Sequence, residues 1–477
     1  HGNDRGHKEE DQMLARHLMT TVVAVATTLS LGGGVLAQDA PTVTIIAHEN
    51  PGDAELFERI EAGMAEAGTP VNIELVGLPS SGYADALSLR LLSGEIPDII
   101  YFQGADAEFA NQGILEDLRP WIEQSSYIKD AMWAHNEARM ENYPYLLYIF
   151  PARTKSAVVR SDWLEQSGLQ APTNLDEWTA FLTEMSQSDF DGNGEADTFG
   201  ILAPDNTAEL DAIFNQSFGV SSTWLEDENG ELIHARVSDA ERDKLAYYQM
   251  LYAEGILDPE YVTSNWEVKE DKFYSGRVAV IMGTAGPVVE IYRTKMAEAN
   301  PGADLALLDP PDGLEAVNVA KEDRGYAIHA MSENKEAAFA VLDFLASPEG
   351  QFIDRMGVEG EHYTRDGDTF EILPAMGGWY PRFWTANPEY WTPPVALLSD
   401  VAQGSLEQGA EYFVADNAFV WPADLAPSVD AAEQYYRTSV FRFVSGEWSM
   451  DQWDQYVEGW YASGGQAMTD HARTVLP

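Results

Sequence analysis

With 477 residues, 45% of them apolar and 11% aromatic, the chain is too long for one hydrophobic core and has the material for two lobes. Its net charge of −51, from 79 acidic against 28 basic residues, argues against a nucleic-acid partner and an anionic membrane surface, since both call for a cationic face. The absence of cysteine excludes disulfides, thiolate metal sites, thiol nucleophiles and a lipid-bearing N-terminal Cys.

Residues 1–12 form a polar leader without pattern, and Met13 reads as the true first residue. Residues 18–37 carry no charge, Arg16 precedes them, and Val35, Leu36 and Ala37 occupy the positions that a signal peptidase reads. Residues 1–37 are therefore expected to be a leader and cleaved signal peptide. A transmembrane anchor is the competing reading, but threonines, Ser30 and Gly32 to Gly34 dilute the apolar run.

A strand over 42–47, a helix with Leu56, Phe57, Ile60 and Met64 on one face, a strand over 71–76, a helix from Tyr83 and a strand over 99–102 follow in order. This alternation predicts a parallel α/β sheet. Ligands of such sheets sit beyond the carboxyl ends of the strands, here at His48, Glu49, Asn50 and Gln103.

Two apolar runs, 146–150 and 157–159, flank Pro151 and the polar stretch 153–156. They predict two strands joined by a stiff connector, the place where the chain passes between lobes. Asn174 and Glu177 then fit a capping box for a helix with Leu175, Trp178, Phe181, Leu182 and Met185 on one stripe. Further helices are expected around 245–252 and 337–345, strands over 277–282, 305–308 and 326–329, and a helix start at Ser347 and Pro348. From Gly357 aromatics crowd in, among them Trp379, Tyr380, Phe383, Trp384, Tyr390 and Trp391.

The loop after the capped helix is built of oxygen donors and glycine. Asp189, Asp191, Asn193 and Gly194 match positions 1, 3, 5 and 6 of a calcium-binding loop, position 7 offers the Glu195 carbonyl, and position 9 is Asp197. Position 12 is Gly200 where a regulatory calcium hand has Glu, so the expectation is a structural Ca²⁺; the alternative is a solvated acidic turn. The aromatic cluster also has two readings, core packing or ring faces that stack on sugars. No metalloprotease, nucleophile-elbow or phosphate-loop motif occurs. His48 and His362 are the histidines of interest, each with a structural reading as a hydrogen-bonded side chain.

The runs Leu91 to Ile100, Ala110 to Leu115, Arg160 to Leu164 with Gly168, and Pro172 to Trp178 resemble the extracellular solute-binding proteins of bacterial ABC importers, in their sugar-binding branch. Tyr274 to Ala279 and Gly357 to Tyr363 resemble the larger, calcium-carrying subgroup that includes alginate and other oligosaccharide binders. The resemblance covers nearly all of 42–363. One departure is Thr198, where the alginate-type site adds a carboxylate.

The resemblance implies a periplasmic-binding-protein type II fold, two α/β lobes joined by a hinge with three crossings and a ligand cleft between them. It divides the chain into 38–152 plus 319–357 and 153–318 plus 358–477. It implies a monomeric periplasmic receptor that closes on an oligosaccharide and docks on the permease of an ABC importer. Stacking would come from Trp379, Tyr380, Trp384 and Trp391, and polar fixing from His48, Glu49, Asn50, Gln103 and Thr284. A ligand carboxylate, as in a uronate, would need a cation, for which Arg153, Lys155, Arg293 and Arg382 are candidates. The alternatives are a secreted glycosidase or polysaccharide lyase, and an adhesive protein without saturable ligand binding.

Overall fold

The computed structural model of the protein describes residues 40–476 apart from 149, 205–206, 314, 318–323 and 384. The expected leader and signal peptide and Trp384 lie outside the described residues. The strands that matter for the site are, in chain order, β1 (Thr42–His48), β2 (Asn72–Leu78), β3 (Ile99–Gln103), β4 (Lys155–Arg160), β5 (Phe199–Ile201), β6 (Val278–Thr284), β7 (Leu305–Leu308), β8 (Glu315–Val317), β9 (Arg324–Ile328) and β10 (Phe413–Ala415).

They form two four-stranded sheets. The first has the order β9-β3-β1-β2, with β1 parallel to β2 and β3 and the returning β9 antiparallel to β3. The second has the order β5-β6-β4-β7, in which β4 runs antiparallel to both neighbours. β1 and β6 are covered on both faces, which is why Val43, Ile45, Ile46 and Val278 to Met282 read as apolar runs without alternation.

Each sheet has its own core. Helices α1 (Asp53–Glu66) and α2 (Tyr83–Leu92) pack Leu56, Ile60, Met64 and Leu87 on the first sheet. In the second core, helix α3 (Leu175–Gln187) buries Trp178, Phe181, Leu182 and Met185, the stripe read from sequence. Its cap departs from the expected reciprocal pair. Asn174 accepts from the Glu177 N–H at 3.0 Å, but the Glu177 carboxylate turns back to Thr173 N and Oγ1, both at 2.9 Å.

The structure corrects three further readings. Among the described residues of the run 146–150 there is no strand; Leu147 makes an isolated antiparallel bridge to Tyr326, with N–H···O bonds of 2.8 and 3.0 Å in the two directions. β4 begins at Lys155, so Lys155 and Ser156 belong to the strand rather than to a polar break. Trp379, Phe383 and Ala386, expected in the second lobe, are buried in the first core.

The chain crosses between sheets at their carboxyl edges. The first crossing enters β4 at Lys155, whose register partner is Thr284 at the end of β6. The second leaves β7 and enters β9 at Arg324, whose partner is Gln103 at the end of β3. The carboxyl edges of both sheets therefore flank one gap. Two further contacts tie the crossings. β8 pairs with β10, and the Lys155 N–H donates to Glu315 Oε1 at 2.8 Å. Among the described residues no helix is long and apolar enough to cross a membrane.

Candidate ligand-binding site

On the first lobe the site grows from the end of β1. His48 is buried among rings, with Tyr83 at 5.8 Å, Tyr101 at 5.4 Å and Tyr380 at 5.7 Å between centroids. Burial, reinforced by the Arg382 charge, lowers the His48 pKa to about 4, so its imidazole is neutral at neutral pH. Glu49 is exposed beyond it. The Asn50 N–H donates to Asp53 Oδ2 at 2.7 Å, and Gly52, at φ +83°, turns the chain into α1 against the Trp379 ring.

The residues of the aromatic stretch have different fates. Trp379 is buried, its Nε1 donating to the Asp354 carbonyl at 2.7 Å and its ring 4.8 Å from His362, so it is core rather than a stacking face. His362 is buried as well, its Nδ1 accepting from the Val358 N–H at 3.0 Å. Trp391 is half-buried against the first core. Tyr380 is 45% exposed beside His48, and of the stacking candidates among the described residues it is the one with an open ring.

Arg382 is also reassigned by the structure. Its side chain is fully buried, donating to Asp53 at 3.1 and 2.5 Å and to the His48 carbonyl at 2.8 Å. This guanidinium fastens the 379–383 segment to the β1–α1 turn, and its charge is spent on Asp53. Arg293 lies between Glu290 and Asp304, at 3.3 and 3.1 Å. Arg153, half-buried in the first crossing, also has a partner.

Along β3 the sequence reading named Gln103 but missed Tyr101, Tyr326 and Arg324. Tyr101 and Tyr326 are cross-strand partners with ring centroids 4.8 Å apart, and Gln103 and Arg324 are the next pair on the same face. On the second lobe, Thr284 ends β6 beside Lys155, and the following Gly286 N–H donates to Ser405 Oγ at 2.7 Å. The Lys155 ammonium lies 3.4 Å from Glu209, in the first turn of helix α4 (Ala208–Phe214). The available signal for Tyr101 was its i, i+2 spacing to Gln103 on one strand face.

The acidic loop is exposed and tightly self-bonded. Asp189 accepts from the N–H groups of Gly192, Asn193 and Gly194 at 2.8 to 3.0 Å. Asn193 Nδ2 donates to both Asp191 and Asp197 at 3.0 Å, and Asn193 Oδ1 accepts from the Glu195 N–H at 2.7 Å. Phe190 anchors the loop by stacking on buried Trp163, 5.9 Å away. Asp191 also packs on Gly276, where an added Cβ would come within 3.1 Å of it. The donor set suits a hard cation, yet among the described residues no three His, Asp or Glu side chains gather closely enough to hold a metal.

Two sheets with carboxyl edges across one gap, joined by two crossings of the chain, define a periplasmic-binding-protein type II architecture. Known structures agree. The alginate-binding protein AlgQ2, solved without calcium ion, aligns with a TM-score of 0.64 at 17% identity, over 91% of this chain and 97% of that one. FusA of S. pneumoniae, an EF-hand mutant in complex with fructo-nystose, aligns with a TM-score of 0.61 at 17% identity, over 91% and 99%.

The sequence profile of bacterial extracellular solute-binding proteins matches residues 51–352, and the chain belongs to that family. Lipoprotein LipO of Bacillus subtilis is 26% identical over 334 residues, 64% of this chain and 64% of LipO's own length. The polygalacturonan/rhamnogalacturonan-binding protein YtcQ of the same organism is 21% identical over 454 residues, 89% of this chain and 88% of YtcQ.

Proposed function

We propose that the protein is the exported receptor of an ABC importer, which captures an oligosaccharide between its lobes and delivers it unchanged to a membrane permease. The observation that carries this reading is the exposed Tyr380 ring beside neutral His48, at the strand edge that faces the second lobe. A flat apolar face next to a polar, uncharged hydrogen-bonding group suits a sugar ring, which has an apolar C–H face and a hydroxyl rim. On this reading Gln103, Asn50 and Glu49 fix hydroxyls from the first lobe and Thr284 does so from the second, while Arg153 remains a crossing residue beside the cleft.

The binding proteins named among its relatives support a receptor over an enzyme. We further propose that Asp189, Asp191, Asn193 and Asp197, with the Glu195 carbonyl, hold a structural Ca²⁺ that neutralises the loop's carboxylates. The test is a thermal-shift screen over neutral and acidic oligosaccharides with and without Ca²⁺, followed by mass spectrometry of the recovered ligand. A receptor is stabilised by a subset of the sugars and returns them intact. Saturable binding with new reducing ends or unsaturated products would instead identify a glycosidase or lyase.

A further inference from the structure

The two lobes present matching cations to the gap. In each sheet the strand that enters from a crossing starts with a basic residue, Arg324 in β9 and Lys155 in β4. Each is paired in register with the last residue of a strand that ends at the cleft, Gln103 and Thr284. In a chain with 28 basic residues against 79 acidic ones, placing one at each lobe's ligand edge calls for a reason.

Their surroundings separate them from the other basic residues near the cleft. Arg382 and Arg293 are neutralised by carboxylates of their own, whereas Arg324 is exposed and makes no ion pair with a carboxylate among the described residues. Its charge reaches both His48 and Tyr380, where it helps to lower the imidazole's pKa. On the second lobe, Glu209 is committed to buried Lys269, whose ammonium donates to both its oxygens at 2.9 and 2.8 Å. Lys155 rests on the same carboxylate only at 3.4 Å and its side chain is 32% exposed, while Glu315, which accepts from the Lys155 N–H, has its pKa raised by burial to about 8, so at neutral pH two ammonium groups share the one negative charge of Glu209.

We propose that Arg324 and Lys155 are the specificity-determining cations of the cleft, one per lobe, and that its ligand is an acidic oligosaccharide of the uronate type. This rests on the receptor reading above. A guanidinium next to an exposed ring matches a uronate residue, whose carboxylate projects from the edge of a pyranose that stacks by its face. A cation on the opposite lobe can engage a second carboxylate only when the lobes close, so the charge would favour the closed form.

Isothermal titration calorimetry tests this with tetragalacturonate, its methyl ester, and uncharged malto- and fructo-oligosaccharides, on the wild type and on R324Q, R324K and K155Q. The expected result is that tetragalacturonate binds, the ester binds at least about tenfold more weakly, and R324Q and K155Q each lose about 10- to 100-fold in affinity for the acid. R324K is expected to retain part of the affinity, and unchanged melting of R324Q shows that its fold is intact. Equal affinity for acid and ester, tight binding of only the uncharged sugars, or an R324Q affinity within about twofold of wild type would overturn the inference and leave the receptor reading standing. No saturable binding of any of these sugars would overturn both.

Discussion

Arg382 separates a structural from a ligand-binding role, and R382M is the perturbation that decides. The substitution removes two bonds to Asp53 and one to the His48 carbonyl, and leaves Asp53, with 12% of its side chain exposed, holding only the Asn50 N–H. Removing one partner of a buried ion pair costs about 3–5 kcal/mol, since the remaining charge keeps its desolvation penalty. Asp53 still touches water, which places R382M near the lower end, at about 3 kcal/mol. D53N strands a guanidinium with no exposure at all and belongs near the upper end, at about 4–5 kcal/mol. The double variant strands neither charge, so its cost should fall well short of the sum, with a coupling of about 2–3 kcal/mol. Urea unfolding followed by tryptophan fluorescence measures all three. An R382M cost below about 1 kcal/mol, or additive single costs, would refute the buried-pair assignment.

Glu315 sits under the first crossing, and its burial raises its pKa from 4.5 to about 8. Between those values the folded protein holds a proton that the unfolded chain has released, so this stabilisation is full below about pH 4.5 and is lost as pH rises through about 8. E315Q should flatten that slope, worth about 2–4 kcal/mol, in unfolding series from about pH 5 to about pH 8.5; an unchanged slope would show that Glu315 ionises normally. Saturating Ca²⁺ should add about 2–3 kcal/mol to chelator-treated protein by mass action, and D191N should abolish the gain. An equal gain in D191N would place any calcium elsewhere. Y380A should raise the Kd for a bound oligosaccharide about tenfold, through loss of about 1.4 kcal/mol of stacking, without lowering the melting temperature.

What was legible in the sequence was local. The β1, β6 and β7 runs, the α3 stripe and the acidic loop each depend on residues within a few positions of one another, and all lie where the local pattern puts them. The errors follow from distance along the chain. Arg382 reads as a free cation until the fold brings it to Asp53, 329 residues away. Trp379 and Tyr380 are neighbours of similar chemistry, yet one is buried on Asp354, His362 and Gly52 and the other is open beside His48; Gly52 and His48 lie over 300 positions earlier, and no local pattern records the choice. Arg324 was passed over because the strand was read as starting at Tyr326, where the apolar run starts, although the ladder begins two residues sooner at a polar pair.

An acidic ligand for so acidic a protein looks contradictory until the ranges of the two effects are compared. Screening at physiological ionic strength confines an exposed charge to about 8 Å, so most of the 79 carboxylates on distant faces exert little force inside the gap. What acts there is the near inventory. Among the described residues Asp53 is bound to Arg382 and Glu209 to Lys269, and burial raises the Glu315 pKa to about 8, which leaves Arg324 and Lys155 set against Glu49. Buried pairing of the other charges thus makes one exposed and one half-buried cation sufficient, and it gives Arg382 and Lys269 a second consequence beyond stability: each removes a carboxylate that would otherwise oppose an anionic ligand.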